Sequence, residues 1–275
     1  MNRQTFRAIL MCAALAGTLG GCSNKTSTTT TEGNGAGTSI TVAGSTALLP
    51  LVKQAAQDYQ AKNADAKVSV SGGGSRLGIT QAAQKGVDIG DSDIPAVNEP
   101  KLVDHQVAIV QFDIAVNPAS GVKNLTTAQI QSIFSGKVTN FNQVGGNNQA
   151  ITIVNRPQSS GTRAVFVQKI LKGTQPAAGG ITQDSSGTVA SIVKQTPGAI
   201  TYVANSYVKG GQIVAVSIDG VIPSEATVKS NTYPFWSYEH MFTNGQASGT
   251  AAAFIDFVKS DTSALASLGF IPMQK

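Results

Sequence analysis

Ile40-Thr41-Val42-Ala43-Gly44-Ser45-Thr46 runs from a short apolar stretch through a small polar turn into a helical pattern, in which Leu48, Leu51, Val52, Ala55, Ala56 and Tyr59 recur at helical spacing. Pro50 falls in the first turn of that helix, where its missing N–H removes no intrahelical bond. The same unit then repeats. Val68-Ser69-Val70 reads as a strand, and Ser71-Gly72-Gly73-Gly74-Ser75 turns it into a helix reaching about Lys85. A third short strand, Val87-Asp88-Ile89-Gly90, ends in Asp91-Ser92-Asp93-Ile94-Pro95. Strands alternating with helices predict an α/β fold, with a mainly parallel sheet covered by helices on both faces. Ligands of such sheets bind beyond the carboxyl ends of strands, and all three polar turns fall there.

Further along, Val107 to Val116 is an apolar run long enough to cross from one domain to another. A second α/β set follows: a helix over Thr126 to Phe134, a strand over Ile151 to Asn155, a helix opened by Ser160, and a strand over Gly198 to Val203. Tyr233 to Thr243 reads as the return crossover, and the helix Thr250 to Lys259 as packing back on the first domain.

Residues 1–22 read as a targeting segment. Arg3 and Arg7 form a basic start, and Ala8 to Gly21 is an uncharged stretch too short to span a bilayer comfortably. It ends in Leu19-Gly20-Gly21-Cys22, which resembles the bacterial lipobox, so Cys22 is the expected lipidation site and buried acyl chains the expected membrane anchor. Cys12 would leave with the signal, and the remaining cysteine, already acylated, allows neither a disulfide nor a cysteine metal site. Residues 23–38 carry Thr28-Thr29-Thr30-Thr31 and Gly33-Asn34-Gly35-Ala36-Gly37, a composition that reads as a flexible tether. With no strand before it and no helix after it, the glycine triplet is no dinucleotide fingerprint. Net charge is +5, and losing Arg3 and Arg7 leaves +3. Without a basic run or an interleaved aromatic stripe, that balance argues against nucleic-acid binding.

The chemistry concentrates in Asn155-Arg156-Pro157-Gln158-Ser159-Ser160-Gly161-Thr162-Arg163, at a helix start. The first N–H groups of a helix have no intrahelical partner, and with the positive end of the dipole they favour an anion. Ser160 and Thr162 add hydroxyls, Gly161 permits close approach, and Arg156 adds a charged fork. Gly44-Ser45-Thr46-Ala47 and Gly74-Ser75 repeat the device. A cradle of many donors with one arginine suits a small tetrahedral oxyanion. Asp93 would repel such a ligand unless it accepts a proton from it, which phosphate near neutral pH can offer and sulfate cannot. Asp93 could equally order its own turn before Pro95. Enzyme signatures fall away: Gly73 to Thr80 has P-loop spacing but carries Ile79 in place of the lysine. Gly90-Asp91-Ser92 resembles the opening of a serine-esterase family, yet His105 and His240 sit in contexts that suit structural or surface roles. No Gly-x-Ser-x-Gly elbow or metal-ligand spacing is present.

With these residues in view, the chain resembles the phosphate-binding proteins of bacterial ABC phosphate importers, from Ile40 to about Phe270. The likeness is carried by Ala43-Gly44-Ser45-Thr46, Gly72-Gly73-Gly74-Ser75, Gly90-Asp91-Ser92-Asp93, Leu125-Thr126-Thr127 and Ile133-Phe134-Ser135-Gly136-Lys137. Arg156 with Ser160-Gly161-Thr162, and Pro197-Gly198-Ala199-Ile200-Thr201-Tyr202, complete it. The resemblance implies a two-lobed periplasmic-binding-protein fold of type II character, each lobe a mainly parallel sheet flanked by helices, joined by two hinge crossovers. Residues 39–112 with 238–275 would form one lobe and 113–237 the other. It assigns donors to Thr46, Ala47 and Leu48, with a register that could slip by one within Ser45 to Leu48, and a further donor to Ser75. Asp93 would accept the ligand's proton, Arg156 would pair with its charge, and Ser160, Gly161 and Thr162 would close the cage. Some members carry an aspartate two residues after the arginine; Gln158 stands there, which would leave Arg156 freer. The implied protein is not an enzyme. It is a monomeric, lipid-anchored receptor outside the cytoplasmic membrane, without cofactor or metal, with inorganic phosphate and a membrane permease as partners. A receptor for molybdate or sulfate, a secreted phosphate-ester hydrolase, and an adhesion or scaffolding protein that keeps only the fold stand as alternatives.

Overall fold

A computed structural model describes residues 38–273. The expected signal segment 1–22, the lipidation site Cys22 and all of the tether except Thr38 lie outside the described residues. The first elements are β1 (Ser39–Gly44), α1 (Leu49–Lys62), β2 (Lys67–Gly72), α2 (Ser75–Ala83), β3 (Ile89–Ser92) and β4 (Leu102–Val116). Then come β5 (Asn124–Leu125), α3 (Thr127–Phe134), β6 (Thr152–Asn155), α4 (Gly161–Lys169), β7 (Ile181–Thr182), α5 (Ser186–Gln195) and β8 (Ala199–Ala204). The chain ends with β9 (Val214–Ile218), α6 (Glu225–Lys229), β10 (Trp236–Asn244), α7 (Gly249–Ser260), α8 (Thr262–Ser267) and β11 (Phe270–Ile271).

Local chemistry starts and stops these elements. Thr126 and Gln129 form a reciprocal capping box that opens α3, and Ser160 caps α4 by accepting from the Arg163 N–H at 3.2 Å. Pro50 sits in the first turn of α1. Helix α2 stops at Ala83, two residues short of the expected end, and Lys85 follows in a left-handed conformation (φ 58°).

The strands follow one path, β2-β1-β3-β10-β4-β8-β6-β7, with β11 and β9 on β4 and β5 on β9. Pairs β1–β2, β1–β3, β6–β8, β6–β7 and β5–β9 are parallel. Every antiparallel pair among the named strands involves β4 or β10. These two crossovers therefore interrupt an otherwise parallel pattern. Strand β4 changes partners along its length: Leu102 to Gln111 pairs with β10, and Phe112 to Val116 pairs with β8. The result is a two-lobed α/β molecule whose lobes share β4.

Each lobe buries its helices' apolar stripes. Leu51, Val52, Ala55, Ala56 and Tyr59 line the inner face of α1, and Tyr59 meets Phe254 and Phe257 of α7 edge-on at 5.5 and 5.4 Å. The last long helix thus returns to the first lobe. Phe166 stacks on Tyr202 at 4.1 Å and touches Phe134 at 4.7 Å, which seats α4 and α3 on β8. Phe112 of β4 and Phe235, just before β10, lie 5.3 Å apart.

Candidate functional site

The carboxyl ends of β1, β2, β3, β6 and β7 converge, and the turns beyond them deliver four helix starts to one place: α1, α2, α4 and α5. In the first lobe, Ser45 donates its hydroxyl to Asp93 Oδ1 and accepts the N–H groups of Ala47 (3.0 Å) and Leu48 (3.2 Å). The two backbone donors expected of that turn are thus held by Ser45 in this structure. Ser75 Oγ accepts the Asp93 N–H at 2.9 Å, fixing the turn after β3 on the start of α2. Gly74 sits at φ 88°, a backbone conformation that strains any side chain, with the Ser159 carbonyl a tight 3.1 Å from where a Cβ would lie.

From the second lobe, Thr162 donates its hydroxyl to Asp93 Oδ2 at 2.7 Å. A Cβ at Gly161 would collide with Ser75 Oγ, so the bare glycine lets the start of α4 reach the start of α2. Ser160 spends its N–H on the Pro157 carbonyl (3.1 Å) and its oxygen on the Arg163 N–H. Arg156, only 1% exposed, donates Nε to the Gln183 carbonyl (3.0 Å), Nη1 to Ser186 Oγ (3.0 Å), and Nη2 to Thr46 Oγ1 (3.0 Å) and the Asp184 carbonyl. Far from being freer, the arginine is tethered by two main-chain carbonyls and two hydroxyls. Burial lowers its pKa, opposed by Asp93 and Asp184, without bringing a guanidinium near neutrality. Behind it, Tyr202 donates to Asn155 Oδ1 and accepts the Arg156 N–H at 3.2 Å, and burial pushes its phenol up to about 12. This pair holds the turn that aims the guanidinium.

Ser45, Thr46, Ala47, Leu48, Ser75, Asp93, Arg156, Ser160, Gly161 and Thr162 are all buried and are brought together. Arg163 is not part of the cradle; its Nη1 donates to the Arg156 carbonyl at 2.7 Å and its Nη2 to Gln175 Oε1 at 3.1 Å. Residues that sequence reasoning missed complete the arrangement. Ser186 shares a 2.9 Å hydroxyl bond with Thr46 Oγ1 and also donates its N–H to that atom. Its signal was present: Ser185-Ser186-Gly187-Thr188 repeats Ser159-Ser160-Gly161-Thr162. Tyr207 donates to the Thr46 carbonyl at 2.7 Å, another bond between the lobes.

On the outer side, Arg76 of α2 donates Nε to the Gln158 carbonyl (3.0 Å) and its N–H to the Ser159 carbonyl (3.2 Å). A surface depression of about 660 Å³ borders this seam, lined by Arg76, Gln158, Ser159, Arg163 and Gln175. On the inner side lie Asp91 and Glu239. Both are wholly buried, no hydrogen-bond donor serves their oxygens, and burial, with Asp93 as neighbour, raises both pKa values well above the usual carboxylate range. His240 pairs with Asp104 at 2.9 Å and His105 lies 3.0 Å from Thr243 Oγ1, so both rings are engaged away from the cradle's side chains. No group of three or more His, Cys, Asp or Glu side chains among the described residues could hold a metal ion. A buried cradle of hydroxyls and helix starts, with one arginine and one carboxylate, can enclose a small oxyanion that still carries a proton.

Residues 27–262 match the family model described as the PBP superfamily domain. The phosphate-binding protein PstS of Bacillus subtilis (strain 168) is 43% identical over 97% of this chain and 91% of its own. PstS of Borreliella burgdorferi is 26% identical over 81% of this chain and 85% of its own. Among solved structures, a substrate-binding protein from Clostridium perfringens with bound phosphate superposes at TM-score 0.81, with 27% identity, covering 86% of this chain and all of that one. An ABC-type phosphate transport receptor from Vibrio cholerae superposes at 0.69, with 26% identity, over 85% of this chain and all of that one.

Proposed function

The chain belongs to the PBP superfamily and, within it, to the phosphate-binding proteins, and from that premise we propose that it is a receptor closing two lobes on one inorganic phosphate ion. It acts outside the cytoplasmic membrane and hands its ligand to the permease of an ABC importer; it binds rather than transforms. The observation that carries this reading is Asp93: a buried carboxylate held by Ser45 and Thr162 inside a cradle otherwise made of donors. An ionised carboxylate accepts and never donates, so it favours an oxyanion bearing a proton.

In this reading, residues 39–112 with 238–275 form one lobe and 113–237 the other, a division supported by the change of β4's partners at Gln111 and Phe112. Thr46 and Ser75 donate from the first lobe, joined by the Ala47 and Leu48 N–H groups as they turn from Ser45 Oγ to the ligand. Arg156, Ser160, Gly161 and Thr162 close on the ligand from the second, with Ser45 positioning Asp93 and the first turn. Ser186 joins them through Thr46 and Arg156. Lipidation of Cys22 would tether a monomeric receptor to the membrane surface through residues 23–38. Among the described residues no helix is long and apolar enough to cross a membrane.

Calorimetric titration of the purified protein with phosphate, sulfate and molybdate tests this. Phosphate should bind in preference to sulfate by as much as about 10⁴-fold, because sulfate would set an unprotonated oxygen against Asp93. Asp93→Asn supplies an amide donor, and the ratio of the two dissociation constants should then move towards sulfate. A wild-type protein that binds sulfate or molybdate equally well would overturn the phosphate assignment.

A further inference from the structure

We propose that Glu239 carries a proton and donates it in a hydrogen bond to Asp93, holding Asp93 as the ionised acceptor of the site and making Glu239 a positioning residue for ligand selectivity. Its consequence for binding rests on the phosphate reading above; the proton assignment itself does not.

Strands β3 and β10 run antiparallel with His240 opposite Ser92 and Met241 opposite Asp91. One further step sets Glu239 opposite Asp93, and directly opposed residues share a face with Cβ atoms about 5 Å apart. Ser237, two residues back on the same face, donates its hydroxyl to the Asp93 carbonyl at 2.9 Å, which ties the end of β10 to this turn. The register thus sets the Glu239 carboxyl on the face of β10 that looks onto Asp93. Both carboxyls are buried, at 0% and 1% exposure, and no N–H or O–H of the protein serves either Glu239 oxygen. Two buried carboxylates facing one another with no cation between them cannot both be charged, so one proton must lie between them.

The surroundings decide which carboxyl holds it. Asp93 accepts two hydroxyls, from Ser45 and Thr162, and feels the Arg156 guanidinium; each favours its charged form. Glu239 faces Asp93 and Asp91 from β3 and the Tyr207 phenol from the turn after β8. No cation is among them. His240 alternates to the opposite face of β10, where it pairs with Asp104. A neutral Glu239 is therefore a donor aimed at a charged acceptor, and it spends one of the lone pairs of Asp93 while leaving the carboxylate able to read a proton on the ligand. Without that donor, nothing fixes the Asp93 carboxylate from the β10 side, its free lone pair is no longer held against the ligand's proton, and sulfate is rejected less strongly.

The protein has four glutamates, Glu32, Glu99, Glu225 and Glu239, which makes direct titration practical. Carbon-13 NMR of the full protein labelled at the glutamate side-chain carboxyl, with Glu239 assigned as the resonance missing from Glu239→Gln, should show Glu239 protonated at neutral pH. A Glu239 resonance with the chemical shift of a carboxylate at neutral pH overturns the proposal, whether or not phosphate binds. For binding, Glu239→Gln keeps a donor and should hold the phosphate-to-sulfate affinity ratio within about threefold of wild type. Glu239→Leu, with folding checked by its thermal transition, should move the ratio about tenfold or more towards sulfate, the loss of one charge-assisted bond. Equal ratios in the two variants would also overturn it. Failure of the wild type to bind phosphate would refute the receptor reading and leave the NMR result to decide the proton.

Discussion

At the scale of the residue, the site depends on one cation held by many partners. Arg156 spends three nitrogens on two carbonyls and two hydroxyls, so its plane is set before any ligand arrives. A lysine keeps the charge but not the fork, and Arg156→Lys should weaken phosphate binding by about tenfold or more, read by calorimetry against wild type. An unchanged dissociation constant would place the charge contact elsewhere. Much of this site was legible in the chain itself, because a Gly-Ser or Ser-Gly-Thr step at a helix entry advertises free N–H groups wherever it falls. Ser186 was legible in the same way and passed unread, although Ser185-Ser186-Gly187-Thr188 duplicates the better-known stretch. The tether of Arg156 could not be foreseen: the carbonyls of Gln183 and Asp184 belong to any residue, and only the path of the chain after β7 brings them in. Glu239 was hidden for a related reason, since its meaning lies in a cross-strand register.

At the scale of the element, β4 carries the molecule's division and also an ionisable group. Asp113 lies just past the point where β4 exchanges β10 for β8, and it accepts Nε2 of Gln111 (2.7 Å) and Nδ2 of Asn205 (2.8 Å). Burial pushes its carboxyl from 3.8 up to about 6 despite those bonds. A carboxyl whose pKa is raised by folding stabilises the native state fully while both states are protonated, and loses that contribution as pH rises through the native value. Stability should therefore fall between about pH 4 and pH 6 by an amount on the order of 3 kcal/mol, and level off above. Asp113→Asn should flatten that part of the curve when thermal transitions are compared across the range; identical slopes would mean that Asp113 is ionised in the fold. The run Val107 to Val116 announced a crossover by its length and apolarity, and Tyr233 to Thr243 announced the return. That both would run antiparallel to their neighbours was not legible, because pairing direction is set by how the chain comes back and not by composition. The short strands β5, β7 and β9 also escaped, being only two to five residues long.

At the scale of the whole molecule, the bonds between lobes differ in kind. Those of Thr162, Thr46 and Arg156 lie in the cradle and would feel the ligand directly. Those of Arg76 do not: its side chain and N–H reach the Gln158 and Ser159 carbonyls on the outer seam, where Arg76 is exposed and Gln158 projects into solvent. A contact formed only when the lobes are shut stabilises the shut form, and it acts on the rate of opening more than on the rate of encounter. Arg76→Ala should accordingly leave phosphate association within about threefold of wild type and speed dissociation by about threefold to tenfold, the measured range for one hydrogen bond of modest net strength. Small-angle scattering adds a check of shape. Phosphate should shrink the radius of gyration of wild type and variant alike, because the cradle still closes, while the ligand-free variant should be the more open of the two. Stopped-flow displacement of bound phosphate resolves the rates. Equal dissociation from wild type and variant would show that the seam merely touches, and that the cradle alone holds the two lobes together.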